Sequence, residues 1–347
     1  MPTPFPNPPH YLRGKLHCID HCSQVLASNP WGDPVHRDVW VYTPPGYKDS
    51  TQDYPVVVFL AGFSSTGESM FGRSLTEMSM ARRIDGWLSS ENEDSCPPFI
   101  AIFPDCMSTL VGTQYVDSPA IGSYATYLMT EILPFVFQRF RCNGRLGITG
   151  RSSGGFGALS LTRQFPAKVN AIACHAGDMA FETTYLSELA ASIMPIQAAG
   201  GPMPFVESFW RKKRLSGGDF AAMNYLCMAA AYGSDLAGED FPAKLPVDWR
   251  TGAIDWGTYQ AWNAHDPLHW IETQQAQDAL KGLDFCFIDA GNHDEYLLHL
   301  GARRFVARLE HFKIPHRYEE FNGGHRGTSY RYDVSIPDMV RVLSALE

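Results

Sequence analysis

A serine flanked by glycines is the first group in this sequence that could act as a nucleophile. Residues 150–154 read Gly-Arg-Ser-Ser-Gly and match G-x-S-x-G when Ser152 is at the centre. Centring on Ser153 would require a glycine where the chain has arginine. In this pattern the serine occupies a tight turn from a strand to a helix, which exposes its hydroxyl at the end of a sheet. The apolar run before it and the helical pattern after it predict that turn, with Ser152 as nucleophile, in preference to a flexible glycine-rich loop.

A serine hydroxyl is a weak nucleophile near neutral pH, so it needs a base, and the base needs an orienting acid. Asp294 follows the apolar run 283–291, and His325 follows the run 316–323. The chain order Ser, Asp, His is the one that α/β-hydrolases use. The order therefore predicts His325 as the base and Asp294 as its acid.

Each of these two residues also has an ordinary structural interpretation. Asp294 could be the N-cap of the helix that follows it, and His325 could be one of many turn histidines. Asp289 and Glu295 are alternative acids, although Asp289 falls inside the predicted strand and is less free to reach a base. It is the order and spacing of the three residues together that favour the catalytic interpretation.

Two backbone amides are candidates for an oxyanion hole. Ser153 begins the predicted helix, where free N–H groups favour a negative charge. Phe63 follows the apolar run 54–62 and a glycine, so its amide is the second candidate donor, although a simple strand-to-loop turn would also explain that glycine. Each donor of this kind contributes roughly 2.7–4 kcal/mol to a transition state.

Apolar runs and helical patterns alternate along the chain, which predicts an α/β fold with a mostly parallel sheet. Several of the runs are continuously apolar, as strands covered on both faces are. The predicted strands are 35–44, 54–62, 98–105, 145–150, 169–177, 283–291 and 316–323, and the predicted helices are 67–89, 123–141, 154–166, 298–312 and 335–346.

One long segment interrupts this alternation. Residues 178–270 exceed the length of an ordinary connection, so we predict a single domain over 1–347 with an inserted cap above the carboxyl ends of the strands, where such sheets bind ligands. The segment is rich in Trp and Tyr. These aromatic side chains either shape a substrate pocket or form the small core of the insertion itself.

Composition excludes several classes of partner. The net charge is −9 with no basic stripe, so neither nucleic acid nor an anionic membrane surface is expected as a partner. No apolar run approaches the ~20 residues of a membrane helix, and the proline-rich start lacks the features of a signal peptide. We expect a cytoplasmic protein acting on a small molecule. The oligomeric state stays open, including a homo-oligomer.

The cysteines are spread along the chain and several lie in apolar runs, which favours reduced thiols over disulfides. The stretch HCIDHC at 17–22 resembles half of a metal site, but no second Cys/His pair follows at zinc-ligand spacing. An N-terminal strand with two thiols is the preferred interpretation, and no metal or cofactor is expected. The cysteines are Cys18, Cys22, Cys96, Cys106, Cys142, Cys174, Cys227 and Cys286.

Beyond these motifs, the sequence resembles an esterase family of the α/β-hydrolase superfamily that includes enterochelin-esterase-like proteins, S-formylglutathione hydrolases, feruloyl esterases and mycolyltransferases. The resemblance rests on SQVLASNPWGDPVHRDVWVYTPPGY, YPVVVFLAGF, FPDCMSTLVGTQYVDSPAIGSYATYLMTEILP, GRSSGGFGAL, HAGDMAFE and FNGGHRGTSYRYD, in the family's order. The resemblance implies an α/β-hydrolase fold, with Ser152 as the nucleophile, Asp294 as the acid and His325 as the base. The oxyanion donors fall on Phe63 and Ser153.

The sequence departs from that family at Arg151, where many members have histidine, and in the long insertion, which prevents transfer of a substrate class. His175 and Asp178, in HAGDMAFE, could touch substrate or form a structural hydrogen-bonded pair. The sequence predicts a serine hydrolase of a carboxylic ester or thioester. The alternatives are an acyltransferase that passes the acyl group to an alcohol or sugar, and a non-catalytic binding protein.

Overall fold

The computed structural model describes residues 12–72, 78–89 and 95–345. Within them a single large sheet has the strand order β1-β2-β4-β3-β7-β8-β9-β10, and β5 and β6 form a separate two-residue ladder. The strands are β1 Lys15–Cys22, β2 His36–Thr43, β3 Tyr54–Leu60, β4 Ile100–Pro104, β5 Asp117–Ser118, β6 Gly122–Ser123, β7 Cys142–Arg151, β8 Ala171–His175, β9 Phe285–Gly291 and β10 Arg317–Phe321.

Six of the eight strands are parallel. β4, β3, β7, β8, β9 and β10 pair in parallel, whereas β1 and β2 add an antiparallel edge. Every residue of β3, β4 and β8 is buried, which explains their uninterrupted apolar sequences. The predicted mostly parallel α/β architecture is confirmed.

Helices cover both faces of the sheet. Val56 and Val58 of β3 belong to one apolar core, whereas Val57 and Phe59 point into a second core on the opposite face. The helices are α1 Met80–Trp87, α2 Tyr124–Thr126, α3 Leu133–Arg139, α4 Ser153–Gln164, α5 Phe181–Thr184, α6 Leu186–Ala199, α7 Pro202–Phe209, α8 Gly217–Tyr232, α9 Trp256–Trp262, α10 Pro267–Trp270, α11 Gln274–Lys281, α12 Leu298–His311 and α13 Tyr332–Ala345, and a π-helical turn, Tyr127–Ile132, joins α2 to α3.

Each predicted strand corresponds to a strand of the sheet, but the predicted helix 67–89 is wrong as a continuous element. The chain forms a 3₁₀ turn at Glu68–Phe71 and then α1. Gly72 and Ser79 both lie outside the helical region of the backbone, with ψ of 132° and 153°, so each of these residues interrupts a helix. Residues 73–77 of this prediction lie outside the described residues, as do the first eleven residues, which carry most of the proline-rich start.

Seven of the helices, α5 to α11, lie between β8 and β9. Trp262, Tyr225 and Phe205 from this segment are fully buried, whereas Trp210 and Trp256 are more than half exposed. Most of its large aromatic side chains therefore belong to a core. That the segment is an insertion in a single domain remains a prediction.

The HCIDHC stretch lies in the edge strand β1. Alternation along the strand places Cys18 and Cys22 on its exposed face, while His17 hydrogen-bonds Thr43 Oγ1 at 3.0 Å and His21 approaches Glu131 at 3.4 Å. The two thiols and the two imidazoles thus point to opposite sides, as a strand requires. Over the described residues, no helix is long and apolar enough to cross a membrane.

Candidate active site

Ser152 occupies the turn between β7 and α4 with a backbone that L-residues rarely adopt. Its φ is 58° and its ψ is −127°. The turn needs glycine on both sides, because a Cβ at Gly150 would lie 2.4 Å from the carbonyl carbon of Gly154, and one at Gly154 would lie 2.3 Å from the carbonyl oxygen of Leu60. The G-x-S-x-G spacing thus follows from close backbone packing, and the strain is stored at the serine.

Backbone hydrogen bonds fix this turn to the neighbouring strand. The Ser152 amide donates to the His175 carbonyl oxygen at 2.9 Å, and the Ser152 carbonyl accepts from the Phe156 amide at 3.0 Å. A Cβ at Gly155 would lie 3.0 Å from the Cα of Gly177, so the loop after β8 packs directly against the first turn of α4.

The register of the parallel strands places the candidate residues at one edge of the sheet. Arg151 pairs with His175, His175 with Asp289, and Asp289 with Glu319. Ser152 directly follows the first of these strands, and the loops after β9 and β10 leave the sheet at the same edge.

Those two loops bring Asp294 and His325 into contact. The His325 Nδ1 lies 2.9 Å from Asp294 Oδ2, and Asp294 is 2% exposed. The other carboxylate oxygen accepts from the Tyr296 amide at 2.9 Å, and the Tyr296 ring meets the imidazole edge to face at 4.9 Å. The imidazole is thus held by a buried carboxylate and by an aromatic ring.

The alternative acids make different contacts. Glu295 accepts from the backbone amide of His325 at 2.8 Å, and this bond lowers the pKa of its carboxyl group. Asp289 pairs with His175 and Arg331 instead. Of the three acids, Asp294 is the one that contacts the His325 ring. In the described part of the chain, no hydrogen bond joins the Ser152 hydroxyl to His325, and such bonds often tighten only when substrate is bound.

The loop after β3 lies against the nucleophile turn. A Cβ at Gly62 would lie 3.2 Å from the Arg151 carbonyl oxygen, and the Tyr115 hydroxyl donates to the Ala61 carbonyl at 2.6 Å. Among the hydrogen bonds of the described residues, none is donated by the Phe63 or Ser153 amide. Both amides are therefore available to a ligand oxygen, and their part in an oxyanion hole stays a prediction.

His175 and Asp178 do not form the structural pair that was one of the alternatives. His175 instead contacts Asp289 Oδ1 at 2.8 Å through Nδ1 and Ser335 Oγ at 2.9 Å through Nε2. His175, Asp289 and Ser335 are all buried, so His175 is enclosed in the protein interior and does not face a substrate.

Asp178 is a buried acid beside the Asp294–His325 pair. Burial raises its pKa to about 6, while the Tyr185 hydroxyl and His325 oppose that rise. Glu188 of α6 also has a raised pKa, from burial and from the charge of Asp294. The sequence offered no signal for Glu188, because it lies in the long segment and belongs to no motif.

One group of side chains in the described residues has the spacing of a metal site, namely Glu182, Asp266 and His269. Asp266 already accepts three backbone N–H groups at 2.7–2.9 Å, and Glu182 pairs with Arg304 at 2.6 Å. The protein itself thus satisfies the two carboxylates.

The sequence model of a protein family described as "Putative esterase" matches residues 34–341. No curated protein sequence matches the chain.

Among solved structures, a ferulic acid esterase superposes with a TM-score of 0.60 at 16% identity, covering 96% of this chain and 100% of that one. FphF, a fluorophosphonate-binding serine hydrolase of Staphylococcus aureus, gives 0.54 at 17% identity, with 95% and 98% covered. An S-formylglutathione hydrolase, FrmB, from the same species gives 0.53 at 14% identity, also with 95% and 98% covered. These similarities establish the α/β-hydrolase fold.

Proposed function

Because the chain belongs to the esterase family whose model it matches, we propose that it cleaves a carboxylic ester or thioester through Ser152, His325 and Asp294, with an acyl-enzyme intermediate. The protein is a carboxylic ester hydrolase by family. The observation that carries the mechanism is a strained serine at the strand-to-helix turn, at the same sheet edge as an imidazole bonded to a buried carboxylate.

In the first half of the reaction, the Ser152 hydroxyl attacks the acyl carbonyl carbon while His325 Nε2 accepts its proton. Asp294 holds Nδ1 protonated, which leaves Nε2 as the acceptor, and stabilises the imidazolium that forms. The negative charge that develops on the carbonyl oxygen is met by the Phe63 and Ser153 amides. His325 then returns the proton to the leaving alcohol or thiol as the bond to the acyl carbon breaks.

In the second half, water attacks the acyl-enzyme. His325 accepts a proton from that water and then returns it to the Ser152 oxygen as the bond between this oxygen and the acyl carbon breaks, which releases the acid and restores the free hydroxyl. The strained backbone of Ser152 supports this assignment, since such strain is retained where a group must be presented for reaction. The free amide of Ser153, at the turn, and that of Phe63, in the loop packed against the turn, support the location of the oxyanion.

A fluorophosphonate probe tests the nucleophile directly. We expect the probe to label the peptide that contains Ser152, as mapped by mass spectrometry, and the label to disappear in Ser152→Ala. Ser153→Ala is the matched control, because it removes the neighbouring hydroxyl and keeps the backbone amide. Labelling that survives Ser152→Ala, or that disappears in Ser153→Ala alone, would refute the assignment.

Substrate preference is tested with a small panel. Methyl ferulate and S-formylglutathione represent the activities that the titles of two similar structures print for those proteins. Product analysis with and without an added alcohol separates hydrolysis from acyl transfer. We expect free acid to dominate in both conditions, and an acyl ester of the added alcohol as main product would contradict hydrolysis.

A further inference from the structure

The guanidinium of Arg151, directly before the nucleophile, is joined to the turn that carries His325. Arg151 Nη1 donates to Thr328 Oγ1 at 3.2 Å, and the Thr328 hydroxyl donates to the His325 carbonyl oxygen at 3.4 Å. Thr328 is 7% exposed. The two hydrogen bonds form a series that runs from Arg151 in the nucleophile turn, through the Thr328 hydroxyl, to the backbone of His325.

Arg151 has no ion pair among the described residues, whereas Arg331, in the 3₁₀ turn Ser329–Arg331, contacts Asp289 at 2.8 Å and Glu319 at 2.5 Å. The hydrogen bond to Thr328 is thus the polar contact that orders the Arg151 side chain. A charged donor strengthens such a bond relative to a neutral one.

The segment beyond Thr328 is itself held to the sheet. Arg331 bridges the neighbouring strands β9 and β10, and Ser335 of α13 contacts His175 at the end of β8. The turn before it contains Gly324 and a Gly327 with φ of +70°, and at His325 it is held by the bond from the backbone amide to Glu295. Thr328 is therefore the junction between a fixed segment and the turn that positions the imidazole.

From this arrangement we propose that Arg151 and Thr328 are positioning residues that set the location of His325 relative to Ser152. The inference rests on the proposed function, since it concerns the same reaction. Neither residue touches substrate in this assignment. Their loss moves the His325 backbone, which changes the proton transfer to His325 and leaves substrate binding intact.

A double-mutant cycle with p-nitrophenyl acetate as probe ester tests the proposal. Arg151→Met and Thr328→Val should each lower kcat by about 10- to 100-fold, the loss expected from a misplacement of about 1 Å, with KM changed by less than about 2-fold. Because both substitutions break the same series of hydrogen bonds, the double variant should be no slower than the slower single variant. Thr328→Ser keeps the hydroxyl and should retain wild-type kcat.

The matched control is a second Arg–Thr pair. Arg304 Nη1 donates to Thr183 Oγ1 at 3.0 Å on the protein surface. Arg304→Met therefore removes the same charge and the same type of bond, together with the ion pair to Glu182, and Thr183→Val removes the bond alone. We expect both to leave kcat unchanged. The rate of fluorophosphonate labelling, which does not depend on ester binding, should fall in step with kcat for the Arg151 and Thr328 variants.

The outcomes separate the two levels of inference. Three results would overturn the positioning role: losses of kcat that multiply in the double variant, an unchanged kcat in either single variant, or a Thr328→Ser variant as slow as Thr328→Val. In each case, labelling of the wild type would still support the serine hydrolase. A wild type that is neither labelled nor active would overturn the proposed function itself. Melting temperatures within a few degrees of wild type show that a loss of kcat is not a loss of folded protein.

Discussion

Replacing Asp178 with asparagine should stabilise the protein, and by an amount that depends on pH. The carboxyl group is buried, and burial raises its pKa from 3.8 to about 6. One pKa unit corresponds to about 1.4 kcal/mol, so folding at high pH includes a penalty of about 3 kcal/mol for keeping this group charged and buried. Asparagine has nearly the same shape and carries no charge.

The sign follows from the raised pKa. The folded state binds the Asp178 proton more tightly than the unfolded state, so the contribution of this group is most favourable below pH 3.8, weakens between pH 3.8 and about 6, and is constant above that. We therefore expect Asp178→Asn to raise the free energy of unfolding by about 3 kcal/mol at pH 8 and by about half as much at pH 5.

Urea denaturation at pH 5 and pH 8 measures the change in the free energy of unfolding. The comparison requires that this free energy falls with urea concentration at the same slope in the wild type and in Asp178→Asn. Asp53→Asn removes an exposed carboxylate and is the control, with an expected change within about 0.5 kcal/mol at either pH. A destabilised Asp178→Asn at pH 8, or a gain that is equal at pH 5 and pH 8, would refute the reasoning, because neither result can come from a buried acid with a raised pKa.

Three further changes probe the site. Gly154→Ala places a methyl group 2.3 Å from the Leu60 carbonyl oxygen and should lower the free energy of unfolding by about 1–3 kcal/mol in urea, whereas Gly217→Ala, whose methyl group meets nothing within 4 Å, should leave it unchanged or raise it. Asp294→Asn should lower kcat by about 10⁴-fold at similar KM, and a loss below about 10-fold would argue for another acid. Ser335→Ala should keep full fluorophosphonate labelling, since this serine is completely buried; a lost label would place the nucleophile there.

The sheet could be predicted from the sequence because its strands are buried on both faces. β3 and β8 are apolar at almost every position and end near small residues or prolines, so their limits are visible without partners. The predicted helix 67–89 is wrong because its apolar pattern continues across Gly72 and Ser79, where the backbone is not helical. Periodicity reports which faces are apolar and does not report such breaks.

The choice between neighbouring acids depended on position relative to a strand end. Asp289 lies within β9 and contacts His175 and Arg331, while Asp294 lies in the loop beyond the strand and contacts the imidazole of His325. That difference could be argued from sequence. The position of Glu188 could not, because the path of the long segment is set by tertiary packing and no local pattern encodes which of its side chains faces the sheet edge.

A second Ser–His–Asp chain in this protein shows that the order of hydrogen bonds does not by itself define a nucleophile. Ser335, His175 and Asp289 are joined at 2.9 and 2.8 Å, with Ser335 in the first turn of α13 and fully buried. The Ser152 hydroxyl has no hydrogen bond to the His325 imidazole. Of the two serines, however, only Ser152 lies in a strained turn with free amides nearby. An ester carbonyl must approach the serine oxygen and place its own oxygen near donors, and Ser335 is not accessible to an ester because it is fully buried. The hydrogen bonds of the buried chain instead tie α13 to β8 and β9, which helps to hold in place the segment that carries Thr328 and, through it, His325.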